Sequence, residues 1–427
     1  MIFAPFYLRR NESVIDSVPI VKMRRLSSFL FWMGSVLVFI SALFFSLGYT
    51  AVPVVADVSL VAMTAAAIAI AALSGSLLVA RRVRRGGYRR TAVLFLSCLA
   101  LVLVALTAQE RFLSYRLVEF PFRNGPIELA GSLFLPRTPG PWPAAVFVHG
   151  SGPESRHEYA YYAKLFARAG IAGLAYDKRG VGESTGELYG TDFGGYARDA
   201  AAAVGALARR EDIDATSIGF IGFSEGEWVA PLAAVDCGKA AFIAVIGASG
   251  MSPAEQVNAE IALRLQARGY SDEVVAKALA LNESVFDYQR TGEGGEELKE
   301  RLGELHSEPW FRDAEDIPNE IFPMKEYRWW KSVMDFDPAP VWQRVLAPVL
   351  ILKGGRDKHS PAGLARERIV SALHRGGNDS VEFMLFPEAD HSLLEWPLGD
   401  RIPPPVFSDD CLNRLIHWVQ AQTGVKN

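Results

Sequence analysis

Apolar positions along this chain follow two regimes. In the first quarter they form long uncharged runs: residues 26–48 and 58–80 hold 23 residues each, and residues 91–108 hold 18. At about 1.5 Å of rise per residue, a helix of this length covers a hydrocarbon core of about 30 Å, the third only just. Backbone inside hydrocarbon must satisfy its own hydrogen bonds, so such runs become helices. A cleaved signal peptide is shorter and starts earlier. Buried helices of a soluble domain carry polar faces, which these runs lack.

From residue 111 onward, short apolar stretches alternate with helical patterns. Residues 127–135, 144–148, 171–176, 217–223, 241–246, 348–352 and 381–386 read as strands. Residues 158–169 read as a helix, with Tyr162, Leu165 and Phe166 at helical spacing and Gly170 as its stop. Asp192 is placed to cap a helix whose apolar face holds Tyr196, Ala200, Val204 and Leu207. The last helix is predicted to begin at Ser408, with Asp409 and Asp410 at its positive dipole end. Its buried stripe is Leu412, Leu415, Ile416 and Val419. Strand–helix alternation of this kind predicts an α/β fold built on a mostly parallel sheet.

Residues 251 to about 345 interrupt the alternation. Ser252, Pro253 and Glu255 form a capping-box helix start, that helix stops at Gly269, and Ser271 starts another. An aromatic stretch follows, with Trp310, Phe311, Phe322, Tyr327, Trp329 and Trp330. The pattern predicts a helical cap inserted between two strands, read as a lid whose aromatics line an apolar pocket. The division is therefore residues 1–110 as a membrane region and 111–427 as a catalytic-size domain with a cap at about 251–345.

Composition sharpens this picture in three places. A net charge of −4 over 427 residues argues against a nucleic-acid partner. Three cysteines, with no CxxC pair and no Cys/His cluster, exclude a disulfide scaffold and a structural zinc module. Basic residues orient the membrane region. Lys22, Arg24 and Arg25 precede the first run, six arginines lie between Arg81 and Arg90, and residues 49–57 have neither Lys nor Arg. The positive-inside rule places the N-terminus in the cytoplasm and everything after the third run on the outer, periplasmic side. Cys237 and Cys411 then face an oxidising compartment.

The chemistry lies in three strings. Gly222-Phe223-Ser224-Glu225-Gly226 follows an apolar strand and precedes a helical run. A nucleophile on such a tight turn takes a strained backbone, and its neighbours two residues away must be small. A serine hydroxyl needs a base, usually histidine. Of the seven histidines, His149 ends a strand ahead of the serine and fits another role, and His157 lies just after it. His306 lies in the insertion, His374 and His417 in helices, and His359 in the wrong place relative to the last strand. His391, in the loop after residues 381–386, is the best base.

A base of this kind needs an acid to fix its tautomer. Asp357 follows the strand 348–352 in Gly354-Gly355-Arg356-Asp357, whereas Asp390 is adjacent to His391 and its side chain diverges. The third string, His149-Gly150-Ser151-Gly152-Pro153, supplies backbone N–H groups near a developing oxyanion, with the Ser151 and Glu225 N–H groups as the donors.

With these strings in hand, residues from about 115 to 424 resemble the bacterial serine esterase and peptidase branch of the α/β-hydrolase superfamily. The matching strings are His149–Pro153, Tyr176-Asp177-Lys178-Arg179-Gly180-Val181-Gly182-Glu183-Ser184, the Ser224 elbow, Gly354–Asp357 and Asp390-His391. The resemblance implies a parallel eight-stranded core with a variable cap, and a triad carried onto Ser224, Asp357 and His391. It implies a structural role for the 177–184 loop.

The resulting expectation is a membrane-anchored serine hydrolase that cleaves carboxylic esters through an acyl-enzyme. Its partners are a small-molecule acyl substrate and the lipid bilayer, with no metal and no organic cofactor. An aminopeptidase of the same superfamily would need an anionic pocket, for which Glu255, Glu260, Glu283 and Glu326 are the candidates. A membrane scaffold or sensor that keeps the fold as a binding module is the non-enzymatic alternative.

Overall fold

The computed structural model describes residues 115–324, 327–396, 406–408 and 410–425. The chain divides into two compact units, Met1–Ala108 and Gln109–Asn427, and the described residues all belong to the second. The three long apolar runs and the arginine-rich loop lie outside the described residues. Among the described residues, no helix is long and apolar enough to cross a membrane.

Among the described residues are twelve strands: β1 (Arg116–Glu119), β2 (Phe122–Asn124), β3 (Ile127–Leu129), β4 (Gly131–Leu135), β5 (Trp142–Val148), β6 (Ala172–Tyr176), β7 (Ile213–Phe223), β8 (Ile243–Ile246), β9 (Val349–Gly354), β10 (Val381–Phe386), β11 (Leu394–Glu395) and β12 (Val406–Phe407). Eight of them make one sheet in the order β1-β4-β6-β5-β7-β8-β9-β10. The pairs from β6 to β10 are parallel, while β1 with β4 and β4 with β6 are antiparallel. The sheet is mostly parallel rather than wholly so.

The stretch 127–135, read as one strand, is two. Ala130 separates them, β3 pairs with β2 in a hairpin, and β4 joins the main sheet. Gly131 marks the break: a Cβ there would lie 2.6 Å from the Phe120 carbonyl oxygen, so the chain crosses itself too closely for a side chain.

Helices cover both faces. Eleven are described: α1 (Arg156–Arg168), α2 (Phe193–Leu207), α3 (Gly226–Cys237), α4 (Pro253–Ala267), α5 (Asp272–Thr291), α6 (Gly295–Leu305), α7 (Pro309–Asp313), α8 (Arg328–Val333), α9 (Ala339–Trp342), α10 (Ala362–Arg375) and α11 (Cys411–Thr423). The period-2 geometry of strands splits each apolar run between two cores. Val146, Val148, Phe220, Val245 and Ile351 meet α2, α3 and α10 on one face. Ala145, Phe147, Ile221, Ala244 and Leu352 meet α1 and α11 on the other.

The caps expected at Asp192 and Ser252 are present: the Asp192 side chain accepts from Gly195 N–H at 3.0 Å, and Ser252 completes a capping box. The helix read as 158–169 starts earlier, at Arg156, where Ser155 completes another capping box. The final helix differs. It starts at Cys411 rather than Ser408, after Asp410 in a left-handed conformation that makes no side-chain cap, and Asp409 lies outside the described residues. Cys237 and Cys411 are free thiols, and burial pushes the Cys411 thiol up to about 12.

Between β8 and β9 the insertion builds its own core. Ile261, Leu265, Val275, Leu281, Val285, Leu298 and Leu302 pack around Trp310 and Phe311. Those two aromatics therefore hold the cap together instead of lining a pocket. Trp329 packs on Tyr189 at 4.9 Å and Trp330 on Phe286 at 6.1 Å between ring centroids, while Phe322 is 44% exposed.

Candidate active site

The loops after the C-terminal ends of β5, β7, β9 and β10 carry the residues that sequence singled out. β7 ends at Phe223 and α3 starts at Gly226, so Ser224 sits on a turn of two residues with φ of 49°. A side-chain-bearing residue avoids this left-handed region, and its occurrence here marks stored strain. The flanking glycines have a steric cause. A Cβ at Gly222 would lie 2.5 Å from the Gly226 carbonyl oxygen, and a Cβ at Gly226 would lie 2.9 Å from the Val148 carbonyl oxygen. The turn is pressed against both its own helix and the end of β5. The Ser224 N–H donates to the Ile246 carbonyl at 2.9 Å, which ties the turn to β8 as well.

His391 rests on the next residue of β8's exit. At Gly247, a Cβ would lie 2.7 Å from His391 Cε1 and 3.0 Å from Nδ1, so only hydrogen lets the imidazole sit there. Ser224 and His391 thus flank the same strand end. His391 Nδ1 and Asp357 Oδ2 are 2.9 Å apart, which assigns the proton on Nδ1 to the carboxylate.

Two glycines bring these loops together. A Cβ at Gly354 would lie 2.0 Å from the Asp390 carbonyl oxygen, and one at Gly355 would lie 2.4 Å from that of Pro387. The Gly355 and Arg356 N–H groups donate to Phe386 and Ala389 at 2.8 and 2.9 Å. The loop after β9 and the loop after β10 are laced together, which delivers Asp357 to His391. Asp390 is occupied differently: it accepts from Ser392 N–H, Leu394 N–H and Trp396 Nε1–H at 2.9, 3.0 and 2.9 Å. It folds its own loop and does not face the imidazole.

Asp357 is buried, and burial alone would raise its carboxyl. Bonds to His391 and to Lys353 outweigh that and hold it well below the ordinary carboxylate range. Lys353 is the residue that the sequence did not reveal. It is fully buried at the end of β9, with Nζ 2.6 Å from Asp357 Oδ2 and 2.6 Å from Ser360 Oγ.

The loop after β5 is held just as firmly. Gly150 N–H donates to Glu154 Oε2 at 2.6 Å and to Tyr159 Oη at 2.8 Å. Lys178 Nζ donates to the Gly150 carbonyl at 3.0 Å and to Glu225 Oε1 at 2.6 Å. Lys178 and Glu225 are both buried, so the 177–184 loop braces the glycine turn against the elbow. Burial raises the Glu225 carboxyl, with Lys178 opposing it. The next N–H along the turn is that of Ser151, and the Glu225 N–H heads α3, where the first amides have no intrahelical acceptor.

The remaining histidines separate cleanly. His149 Nε2 lies 2.5 Å from the Tyr176 carbonyl, and burial, helped by the Lys178 charge, pushes the imidazole down to about 3. It is a neutral structural donor. His157 is in the first turn of α1, His306 follows α6, His374 is in the last turn of α10 and His417 lies within α11. His359, which its sequence position sets aside as the base, nevertheless lies in the site, with its ring 4.2 Å from that of His391.

Asp357, His359 and His391 bring donor atoms within 4.8 Å of one another. Asp357 Oδ2 is shared by Lys353 and His391, and His359 Nδ1 meets Glu260 Oε1 at 2.7 Å, so the three residues form a hydrogen-bonded chain. The buried ammonium of Lys353 opposes a second cation on that oxygen. Of the other insertion carboxylates, Glu255 pairs with Arg368 and Glu283 with Arg290, while Glu326 is outside the described residues.

The sequence pattern of the alpha/beta hydrolase family matches residues 145–401, more than half of the chain, and the chain belongs to that family. Among characterised relatives it is similar to esterase EstD of Thermotoga maritima, 25% identical over 273 residues. That match covers 62% of this chain and 58% of the esterase, so the chain spans about three-fifths of the relative's length. Among solved structures, it is similar to a hypothetical protein, PA2218, from Pseudomonas aeruginosa, at 19% identity and a TM-score of 0.45, covering 72% of this chain and 94% of that one. Est1E from Butyrivibrio proteoclasticus, solved with ferulic acid bound, is 18% identical with a TM-score of 0.43, covering 72% of this chain and 99% of that one.

Proposed function

We propose that this chain is a membrane-anchored serine hydrolase that cleaves carboxylic esters, with Ser224 as nucleophile, His391 as base and Asp357 as the acid that fixes it. The observation that carries the reading is the strained Ser224 turn beside an imidazole whose Nδ1 is bonded to a buried carboxylate. Nδ1 being committed, Nε2 is the nitrogen that takes the Ser224 proton as Oγ bonds to the acyl carbon. The Ser151 and Glu225 N–H groups receive the oxyanion. The imidazolium returns its proton to the departing alkoxide, leaving an acyl-enzyme. Water then loses a proton to His391, attacks the acyl carbon and releases the acid.

The esterase relative supports esters over amides. An aminopeptidase needs a carboxylate open to a substrate ammonium, and Glu260 is instead engaged by His359. Hydrolysis of a panel of esters and aminoacyl amides by the full-length chain, with Ser224→Ala as control, tests the reading. Ester turnover that vanishes in the control supports it. A preference for aminoacyl amides that disappears when the amine is blocked moves the protein to the aminopeptidase reading.

The membrane part of the proposal rests on the three uncharged runs and the arginines between Arg81 and Arg90. A reporter that works only outside the cytoplasm, fused after residue 427, is expected to be active. Activity of a cytoplasm-only reporter at that position reverses the topology.

A further inference from the structure

Beside the candidate triad lies a second acid–histidine pair that the proposed reaction does not use. His359 stands two residues past Asp357, and its N–H donates to Asp357 Oδ1 at 2.8 Å. Its Nδ1 is 2.7 Å from Oε1 of Glu260, which belongs to α4 of the cap. The Glu260 side chain is only 13% exposed, and Gln256 Nε2 donates to the same oxygen at 3.1 Å. The His359 ring packs on His391 with 4.2 Å between centroids and 49° between planes. The cap thus reaches the base through one hydrogen bond and one ring contact.

We propose that Glu260 of the cap and His359 of the loop after β9 form a positioning pair, in which the Glu260 bond fixes the His359 ring and favours its charged form, and the ring packed on His391 sets the pH at which His391 serves as base. This deepens the hydrolase reading and rests on it. A cation beside an imidazole disfavours the protonated ring. His359 is held above its ordinary value chiefly by its bond to Glu260, with burial opposing. Asp357 faces both histidines, and Lys353 lies behind it, bonded to its Oδ2. Asp390 is turned to its own loop, and β8 presents only Gly247. Among the described residues, His359 is therefore the titratable group through which the cap's Glu260 reaches the base.

The test is the titration of the full-length chain labelled with carbon-13 histidine, followed by NMR without substrate, in the native chain, His359→Gln and Glu260→Gln. Glutamine keeps a polar contact to Glu260 and removes the charge. The His391 midpoint is expected to rise by roughly half to one pH unit in His359→Gln and by less in Glu260→Gln, where His359 and His391 titrate as a coupled pair. The acid limb of kcat/KM should move with it, giving about 3- to 10-fold less activity near pH 5.5 and little change near pH 8.5. A His391 midpoint that stays fixed in both folded variants overturns the proposal. Because the titration needs no turnover, a chain that proves inactive sinks the hydrolase reading while leaving this electrostatic claim separately decided.

Discussion

Lys353 Nζ lies 2.6 Å from Asp357 Oδ2, with both side chains removed from solvent. An ammonium buried at the end of a strand is costly, and only a matched anion makes it tolerable. The same oxygen accepts from His391 Nδ1 at 2.9 Å. The lysine therefore fixes the carboxylate rotamer on which the imidazole depends.

Lys353→Met is expected to destabilise the fold by about 3 kcal/mol or more, because it leaves Asp357 buried beside His391 without its cation. Asp357→Asn should cost a comparable amount by stranding the lysine. In the double variant neither charge remains, so the two losses should not add. Denaturant unfolding of the four proteins checks this. Strict additivity would show that the two side chains do not act as a pair.

Asp357→Asn should also lower kcat by up to about 10⁴-fold, as loss of the acid does in a Ser–His–Asp triad, because the asparagine amide favours the wrong tautomer of His391. Asp390→Asn keeps the Oδ1 acceptor for the Ser392 and Leu394 N–H groups and loses only the Oδ2 acceptor for Trp396 Nε1–H. Its effect should appear in stability and much less in kcat. Steady-state rates on one ester decide between them, and a reversed order places the acid at Asp390.

Much of this arrangement is readable from sequence because it rests on local rules. Gly222, Ser224 and Gly226 are spaced by the sterics of one turn, and the order Ser224, Asp357, His391 follows the order of strand ends. Asp192 and Ser252 announce helix starts through their own side chains. Long-range pairing is less legible. Lys353 follows an apolar strand, and nothing in its neighbours says that its ammonium turns inward to Asp357. His359 and Glu260 are 99 residues apart, and only the folded cap brings them together. Trp310 and Phe311 read as pocket aromatics, yet they meet the cap's own leucines, because composition does not say which surface an aromatic covers.

The stability of the domain should depend on pH through His149. Its imidazole is held neutral down to about 3 in the fold, against an ordinary value near 6.5 when unfolded. The unfolded chain binds the extra proton first, so this contribution is whole above about pH 6.5 and is lost as pH falls toward 3. Unfolding midpoints measured from pH 7 to 4 should fall, and the fall should be shallower in His149→Gln. An identical slope in that variant assigns the acid sensitivity elsewhere.

The central claim is that the strained Ser224 is an activated nucleophile. A serine-reactive fluorophosphonate applied to the full-length chain tests it directly, with the adduct located by peptide mass spectrometry. One adduct per chain on Ser224 is expected, slowed by roughly a thousandfold or more in His391→Asn and absent in Ser224→Ala. A folded chain that takes no adduct at Ser224, or takes it at another serine, would contradict the account.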